Sequence, residues 1–125
     1  MTRINLVHPK DLHPKHLGGE YYELPRVFGL AARAVSRGED PLHPRYHQGY
    51  RRGRGHVLFF YPRLLFVVRR QGAIVREMQR RGFNPKYTEP YDLSGFPEEW
   101  CRDWKPSPAA LQISRRWLIL KMPPG

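Results

Sequence analysis

At 125 residues, the chain is long enough for one compact domain, residues 1–125, that buries roughly two thirds of its unfolded surface without covalent cross-links. Its single cysteine, Cys101, excludes an intramolecular disulfide and cannot form a metal site alone. No apolar run reaches the ~18 residues of a membrane span, and histidine, proline and lysine interrupt the N-terminal region where a secretory signal would lie. We therefore expect a cytoplasmic protein without a membrane partner.

Basic residues outnumber acidic ones, with 22 lysines and arginines against 11 aspartates and glutamates and a net charge of +11. Most of them are arginines, whose planar guanidinium groups bind phosphate oxygens in pairs and stack on bases. The charge therefore predicts a nucleic-acid partner. The alternative at this point is a basic protein whose arginines are only solvated.

The first predicted helix begins at Pro14, which suits the first helical position, and ends at Gly38. Pro25 lies inside this range and removes one backbone donor, so we expect a kink there and not a break. Gly18 and Gly19 weaken the helix but would let another backbone approach closely. The apolar residues recur every three or four positions, at Leu17, Tyr21, Leu24, Phe28, Ala31 or Ala32, and Val35.

Residues 39–55 show no apolar periodicity and are predicted to form a loop. This loop is basic and contains Arg45, Arg51, Arg52 and Arg54. The apolar run HVLFFY, residues 56–61, is either a short buried strand or an irregular core segment, and periodicity does not separate the two. His56 at its start is expected to be a hydrogen-bonded core histidine.

The second predicted helix runs from about Pro62 to Gly82. Its inward stripe is expected to comprise Leu64, Val68, Gly72, Val75 and Met78. Most arginines on the remaining surface are expected to face solvent, namely Arg69, Arg70, Arg76, Arg80 and Arg81. A long connection follows, residues 83–106, and we expect its aromatic residues mainly in the core and not as surfaces on which bases stack.

The third predicted helix takes Ser107 as its cap and Pro108 as its first residue. Its inward residues are expected to be Ala110, Ile113, Trp117 and Leu120, and Pro123, Pro124 and Gly125 end it. No long-period repeat is present. The sequence thus predicts a mostly α fold, a compact single domain of three helices joined by long irregular loops.

The backbone amine of Thr2 is a candidate nucleophile, because it becomes the N-terminus if Met1 is removed, as small second residues usually allow. An α-amino group titrates near ~7.7 to 8.0, against about 10.4 for lysine, so far more of it is unprotonated at neutral pH. Glu23 and Arg26 are three residues apart on one predicted helical face and would supply a carboxylate and a cation. The ordinary alternatives are an unremarkable terminus and a solvated ion pair.

The histidines do not predict a metal site. Three precede proline and none forms a familiar ligand pair with the cysteine; the six are His8, His13, His16, His43, His47 and His56. We therefore expect no metal site.

Several blocks of sequence carry a resemblance to a known family. They are MTRINL at the start, HL at 16–17, EYYELPRVFG at 20–29, GHVLFFY at 55–61 and RRGFN at 80–84. In their order and spacing, from residue 1 to about 121, the chain resembles the phage-type pyrimidine-dimer DNA glycosylases, the endonuclease V family. The resemblance implies a small, mostly helical, metal-independent monomer that needs no cofactor. Such an enzyme recognises cyclobutane pyrimidine dimers in duplex DNA, cuts the glycosidic bond and then nicks the backbone.

The resemblance also implies roles for individual residues. Thr2 would be the nucleophile through its α-amine, Glu23 the essential carboxylate, and Arg3 and Arg26 the groups that bind phosphates beside the lesion. His16 matches a supporting position in the active site. The family is expected to kink the DNA and to take the base opposite the dimer out of the stack.

Two positions depart from the family pattern. Tyr22 stands where the family commonly has arginine, which affects a phosphate or base contact beside Glu23. Trp117 replaces a basic residue on the third helix, where Arg116 and Lys121 would substitute for it. We expect DNA contacts from Arg3, His16, Tyr22, Arg26, Lys86, Arg116 and Lys121.

Two rival interpretations stay open on the sequence alone. One is a noncatalytic DNA- or RNA-binding module that uses the same charge. The other is a related lyase that acts mainly on abasic sites or other damaged bases, an alternative made credible by Tyr22.

Overall fold

The computed structural model describes residues 2–122, over which the chain forms four α-helices. These are α1 (Pro14–Glu23), α2 (Arg26–Ser36), α3 (Leu64–Arg80) and α4 (Pro108–Leu120). The described residues contain no strand, and only an isolated bridge joins Arg63 to Cys101. The mostly α prediction is confirmed, with all three predicted helical regions present. The predicted helix end at Pro123, Pro124 and Gly125 lies outside the described residues.

The first predicted helix is divided at Pro25, so the expectation of a kinked but continuous helix is wrong. Pro25 has no N–H to donate to the carbonyl of Tyr21. Val27 and Phe28 donate instead to the carbonyls of Leu24 and Pro25, at 3.1 and 3.2 Å, each one residue closer than in an α-helix. Leu24 and Pro25 both keep α-region backbone angles, so α2 follows α1 directly.

Three His-Pro pairs begin helical turns in the same way. The Nδ1 atoms of His8, His13 and His43 accept hydrogen bonds from the backbone N–H two residues later, at 3.0, 3.1 and 3.1 Å. The proline then takes the first helical position. His13 starts α1, and the other two start the 3-10 turns Pro9–Asp11 and Pro44–Tyr46. These three histidines are therefore helix caps.

The run HVLFFY forms a 3-10 helix, Val57–Phe60, so the strand alternative is wrong. Phe59 and Phe60 are buried and Trp104 packs edge-on against Phe59, with ring centres 4.8 Å apart. The aromatic residues of the following long connection divide between core and surface. Trp100 is buried, but Phe83, Tyr87 and Tyr91 are exposed, so their predicted core role holds only in part.

The inward face of α3 is only partly the predicted one. Three predicted residues are buried, Leu64, Val75 and Met78, and two are half-buried, Val68 and Gly72. Val67 and Ile74 are buried in their place. The reason is geometric, because successive steps of four residues drift by about 40° each around a helix of 3.6 residues per turn. Arg70, which was expected to face solvent, is also buried, with 7% of its surface exposed.

α4 begins as predicted, since the Ser107 side chain accepts a hydrogen bond from the N–H of Ala110 at 3.1 Å. Ala110 and Trp117 are buried and Ile113 is half-buried. Leu120 is 68% exposed, so its predicted inward position is wrong. Leu118 supplies the inward contact of the last turn instead.

Two clusters of buried side chains make up the core. One joins α1, α3 and α4 and contains Leu12, Leu17, Tyr21, Ile74, Val75, Met78 and Leu118. The other surrounds α2 and includes Phe28, Tyr46, Phe60 and Trp100. The N-terminal segment, residues 2–12, contributes to both, with Ile4 and Leu6 in the second cluster and Leu12 in the first. This segment therefore passes through the middle of the fold.

Candidate active site

Hydrogen bonds from distant parts of the chain hold the N-terminal segment in place. The N–H of Ile4 donates to Nε2 of His56 at 2.9 Å, and the hydroxyl of Tyr50 donates to the carbonyl of Ile4 at 2.8 Å. The N–H of Leu6 donates to Oγ of Ser114 on α4 at 2.9 Å. The backbone beside Thr2 is thus fixed to two regions of the protein.

His56 is the hydrogen-bonded core histidine that the sequence predicts. It is 1% exposed, and while its Nε2 accepts from Ile4, its Nδ1–H donates to the carbonyl of Arg51 at 2.8 Å. Burial, with a smaller contribution from the Arg3 charge, lowers the pKa of His56 from 6.5 to about 4. The ring is therefore neutral at physiological pH.

A buried ionic cluster fixes the next part of the N-terminal segment against α1 and α3. Glu20 accepts from Asn5 Nδ2 at 2.8 Å, and from Nε and the second terminal nitrogen of Arg70 at 2.7 and 3.1 Å. Arg70 also donates to the carbonyl of Val7 at 2.6 Å. Asn5 Oδ1 is buried without a hydrogen-bond partner among the described residues. The cluster places Asn5 and Glu20 side by side.

A pocket of about 210 Å³ opens beside this cluster. It is lined by Arg3, Asn5, Lys15, His16, Gly19, Glu20 and Glu23. A Cβ at Gly18 or Gly19 would meet nothing within 4 Å, so the predicted close backbone approach there is wrong, and Gly19 faces this open space instead. Because Arg70 neutralises Glu20, the cations Arg3 and Lys15 share the pocket with one further carboxylate, that of Glu23.

Glu23 is the last residue of α1, half-buried, at the end of the helix where the dipole disfavours negative charge. The helix dipole therefore does not stabilise an ionised carboxylate at this position. Arg26 is the first residue of α2 and is exposed. The break at Pro25 places the two in separate helices, and the pocket includes Glu23 but not Arg26.

His16 connects the pocket to the end of α4. It is buried, and its Nε2–H donates to the carbonyl of Lys121 at 3.0 Å. Lys121 thus lies beside the pocket through its backbone. Arg3 is the other link to α4, because its guanidinium lies over the ring of Trp117.

Thr2 does not line the pocket that holds Glu23. It lines a second depression, of about 270 Å³, together with Leu30 and residues 53–57. The next residue, Arg3, lines the Glu23 pocket. The chain therefore passes from one depression into the other between Thr2 and Arg3.

The remaining predicted DNA-binding residues lie outside the pocket. Tyr22 is 75% exposed and lines an apolar groove of about 480 Å³ with Tyr21 and Tyr87. Lys86 does not line this groove, but its Nζ lies 5.4 Å from the ring centre of Tyr87, which does. Arg116 is exposed on α4.

The sequence analysis missed several residues of the site, namely Asn5, Lys15, Glu20 and Arg70. A signal for Glu20 was present, because its spacing from Leu17 and Leu24 puts a charged residue on the inward face of α1. No comparable signal pointed to Asn5 or Lys15.

Within residues 2–122 no three His, Cys, Asp or Glu side chains are grouped as metal ligands would be. In the same range, no helix has the length and apolar character needed to cross a membrane.

Comparison with known families adds to this geometry. The sequence model of a family described as pyrimidine dimer DNA glycosylase matches residues 1–89. The matched range contains every residue that lines the Glu23 pocket, together with Thr2 and Tyr22. It ends before α4, so Trp117, Arg116 and Lys121 lie beyond it, although the resemblance in the sequence was drawn to about residue 121. Because this match covers most of its length, the chain belongs to the pyrimidine dimer DNA glycosylases, a family of DNA repair enzymes.

Proposed function

We propose that the protein excises cyclobutane pyrimidine dimers from duplex DNA with the α-amine of Thr2 and then nicks the strand by β-elimination, acting as a cytoplasmic monomer. The observation that carries this proposal is that Arg3, adjacent to Thr2, lines one pocket with the carboxylate of Glu23. Membership of the glycosylase family supports the excision step.

Removal of Met1 would expose the amine that the reaction needs. The hydrogen bonds at Ile4, Asn5 and Leu6 hold the following backbone rigidly, which limits the motion of that amine. Cationic Arg3 and Arg26 would lower the pKa of the amine by repelling its protonated form. A larger unprotonated fraction would then be present at neutral pH.

The reaction needs no oxidant and no cofactor. The amine attacks C1′ of the sugar and loses a proton, while the pyrimidine departs with the electrons of the glycosidic bond. The sugar ring then opens to an imine, which acidifies the C2′ hydrogens. Loss of a C2′ proton and departure of the 3′ phosphate break the strand, and hydrolysis of the imine frees the enzyme.

Glu23 supports two of these steps. Its carboxylate stabilises the positive charge that develops on the sugar as the base leaves. It then accepts the C2′ proton during β-elimination. The buried Glu20–Arg70 pair beneath the pocket keeps α1, and with it Glu23, in a fixed position relative to the N-terminal segment.

DNA binding would come from the positive charge and from deformation of the duplex. We assign phosphate contacts to Arg3, Arg26, Lys86, Arg116 and Lys121, and a base or sugar contact to exposed Tyr22. His16 supports the pocket through its bond to Lys121. A dimer weakens local stacking, so kinking the helix and extruding the opposite base cost less at the lesion than elsewhere.

A trapping experiment tests the proposal against its two rivals. Protein processed to Thr2 is incubated with dimer-containing, abasic and undamaged duplexes, and borohydride is added to reduce any imine to a stable amine. We expect a covalent product on the first two duplexes and none on the third. A product on the abasic duplex alone would identify a lyase, and no product on any duplex would identify a binding module. Protein extended by an N-terminal tag is the control and should give no product.

A further inference from the structure

The basic loop at residues 51–55 is held rigidly at both ends by the N-terminal segment. Tyr50, which precedes the loop, donates to the carbonyl of Ile4, and His56, which follows it, accepts from the N–H of the same residue. His56 also donates to the carbonyl of Arg51 across the loop, and its N–H donates to the carbonyl of Gly53 at 3.1 Å. The loop is therefore a fixed part of the structure.

Two glycines give the loop its shape. Gly53 and Gly55 have φ angles of 73° and 87°, in the left-handed region that side chains disfavour. At Gly55 a Cβ would also collide with the guanidinium of Arg51, which lies against this glycine. This tight path carries Arg51, Arg52 and Arg54, all exposed to solvent.

The loop lies beside Thr2. Gly53, Arg54 and Gly55 line the same depression of about 270 Å³ as Thr2. Arg54 thus lies beside the proposed nucleophile, and Arg51 and Arg52 belong to the same rigid loop.

The arginines of the loop carry uncompensated charge. None of them forms an ion pair with a carboxylate of residues 2–122. The acidic residues instead pair with arginines elsewhere, including Arg37 with Glu39, Arg69 with Asp103 and Arg80 with Glu77. Part of the net charge of +11 is therefore concentrated beside Thr2.

We infer that the loop at residues 51–55 binds backbone phosphates of duplex DNA on the Thr2 side of the lesion. This inference rests on the proposed function for its partner, because guanidinium groups on a rigid loop suit a regular row of phosphates. The loop contributes affinity and register, and it does not touch the reacting atoms.

Binding to an undamaged duplex tests the inference without any catalytic step. A variant with Arg51→Gln, Arg52→Gln and Arg54→Gln is compared with a matched control, Arg37→Gln, Arg69→Gln and Arg80→Gln, which loses the same charge from exposed but paired arginines. Fluorescence anisotropy gives the binding constant from about 50 to 200 mM salt. Each phosphate contact contributes about 0.9 to the magnitude of the slope of log K against log salt. We therefore expect this magnitude to fall by ~2 to 3 in the loop variant and by less than ~1 in the control.

A charge-preserving variant separates charge from structure. Arg51→Lys, Arg52→Lys and Arg54→Lys should keep most of the wild-type slope, because lysine also binds phosphate as a point charge. Equal slopes in the loop variant and the control would overturn the inference. A lysine variant whose slope falls as much as that of the glutamine loop variant would also overturn it. Borohydride trapping by the wild type decides the proposed function separately, so failure of one is distinguishable from failure of the other.

Discussion

The guanidinium carbon of Arg3 lies 5.0 Å from the ring centre of Trp117, over the indole face. Trp117 is 6% exposed, and the edge of its ring contacts His56 with ring centres 4.9 Å apart. His56 in turn holds the backbone of Ile4. Trp117 therefore packs between His56 and the guanidinium of Arg3, the arginine that follows Thr2.

Trp117→Leu should weaken the action on dimers without altering its chemistry. Loss of a cation–π contact worth about 0.5 to 2 kcal/mol predicts a ~2- to 30-fold fall in kcat/KM. Steady-state kinetics on a dimer-containing duplex measures this fall. Trp117→Phe retains an aromatic face and is the matched control. If the leucine and phenylalanine variants are equally active, Trp117 does not orient Arg3.

Glu23→Gln should abolish excision while the fold stays intact. A carboxylate that stabilises charge and moves a proton is worth about 100-fold or more, so single-turnover excision should fall by at least that factor. The excision rate of Glu23→Asp should lie between those of the wild type and Glu23→Gln, because the carboxylate is retained but displaced by one methylene. Glu98→Gln, at an exposed carboxylate of another turn, is the control. Wild-type excision by Glu23→Gln would remove this residue from the mechanism.

Removing one member of the buried Glu20–Arg70 pair should cost more stability than removing both. Glu20→Leu leaves the Arg70 charge buried and unpaired, which destabilises proteins by about 3 to 5 kcal/mol. Arg70→Met leaves Glu20 in the same condition. We expect the double variant to cost clearly less than the sum of the two single variants. Urea unfolding of all four proteins measures the coupling, and additive losses would show that the pair is not an energetic unit.

His56 should make the protein less stable as the pH falls from about 6.5 to 4. The pKa of His56 is lowered from 6.5 to about 4 in the folded state, mainly by burial, so in this range the unfolded chain binds a proton that the folded chain does not. Neutral His56 makes its full contribution to the free energy of unfolding above pH 6.5. By about pH 4 the loss of this contribution is on the order of 3 kcal/mol.

The measurement is urea unfolding at about pH 7 and about pH 4.5. His56→Gln keeps an acceptor for Ile4 and a donor for Arg51 but cannot titrate, so its stability should fall less over the same interval. All other titrating groups are common to the two proteins and cancel in the comparison. If the free energy of unfolding falls equally in the wild type and in His56→Gln, the loss of stability belongs to other residues.

Local sequence patterns predicted the helices well because caps and apolar spacing act over a few residues. Pro14, Ser107 and Pro108 begin helices as predicted, and the inward face of the first helical region is buried from Leu17 to Ala31. The errors came from competition between local effects. Pro25 removes a backbone donor, and the chain forms two helices there instead of one kinked helix. In α3, the two four-residue steps from Leu64 to Gly72 drifted away from the buried face.

The site was predictable only in part because its connections join residues far apart in sequence. Arg3, His16 and Glu23 were proposed for one site and line one pocket. The pair of Glu20 with Arg70 spans 50 residues, and the bond from Ile4 to His56 spans 52. No periodicity specifies which buried charges will meet across such distances. Trp117 likewise looked like a lost phosphate contact, and only the three-dimensional arrangement shows it under Arg3.

The most direct test of the central claim is to locate the covalent bond between protein and DNA. The borohydride-reduced conjugate with a dimer-containing duplex is digested with protease and nuclease, and mass spectrometry identifies the modified peptide. We predict a reduced sugar fragment on the α-nitrogen of Thr2, in a peptide that lacks Met1. Attachment to Lys15, the lysine that lines the Glu23 pocket, or to any other residue would contradict the account.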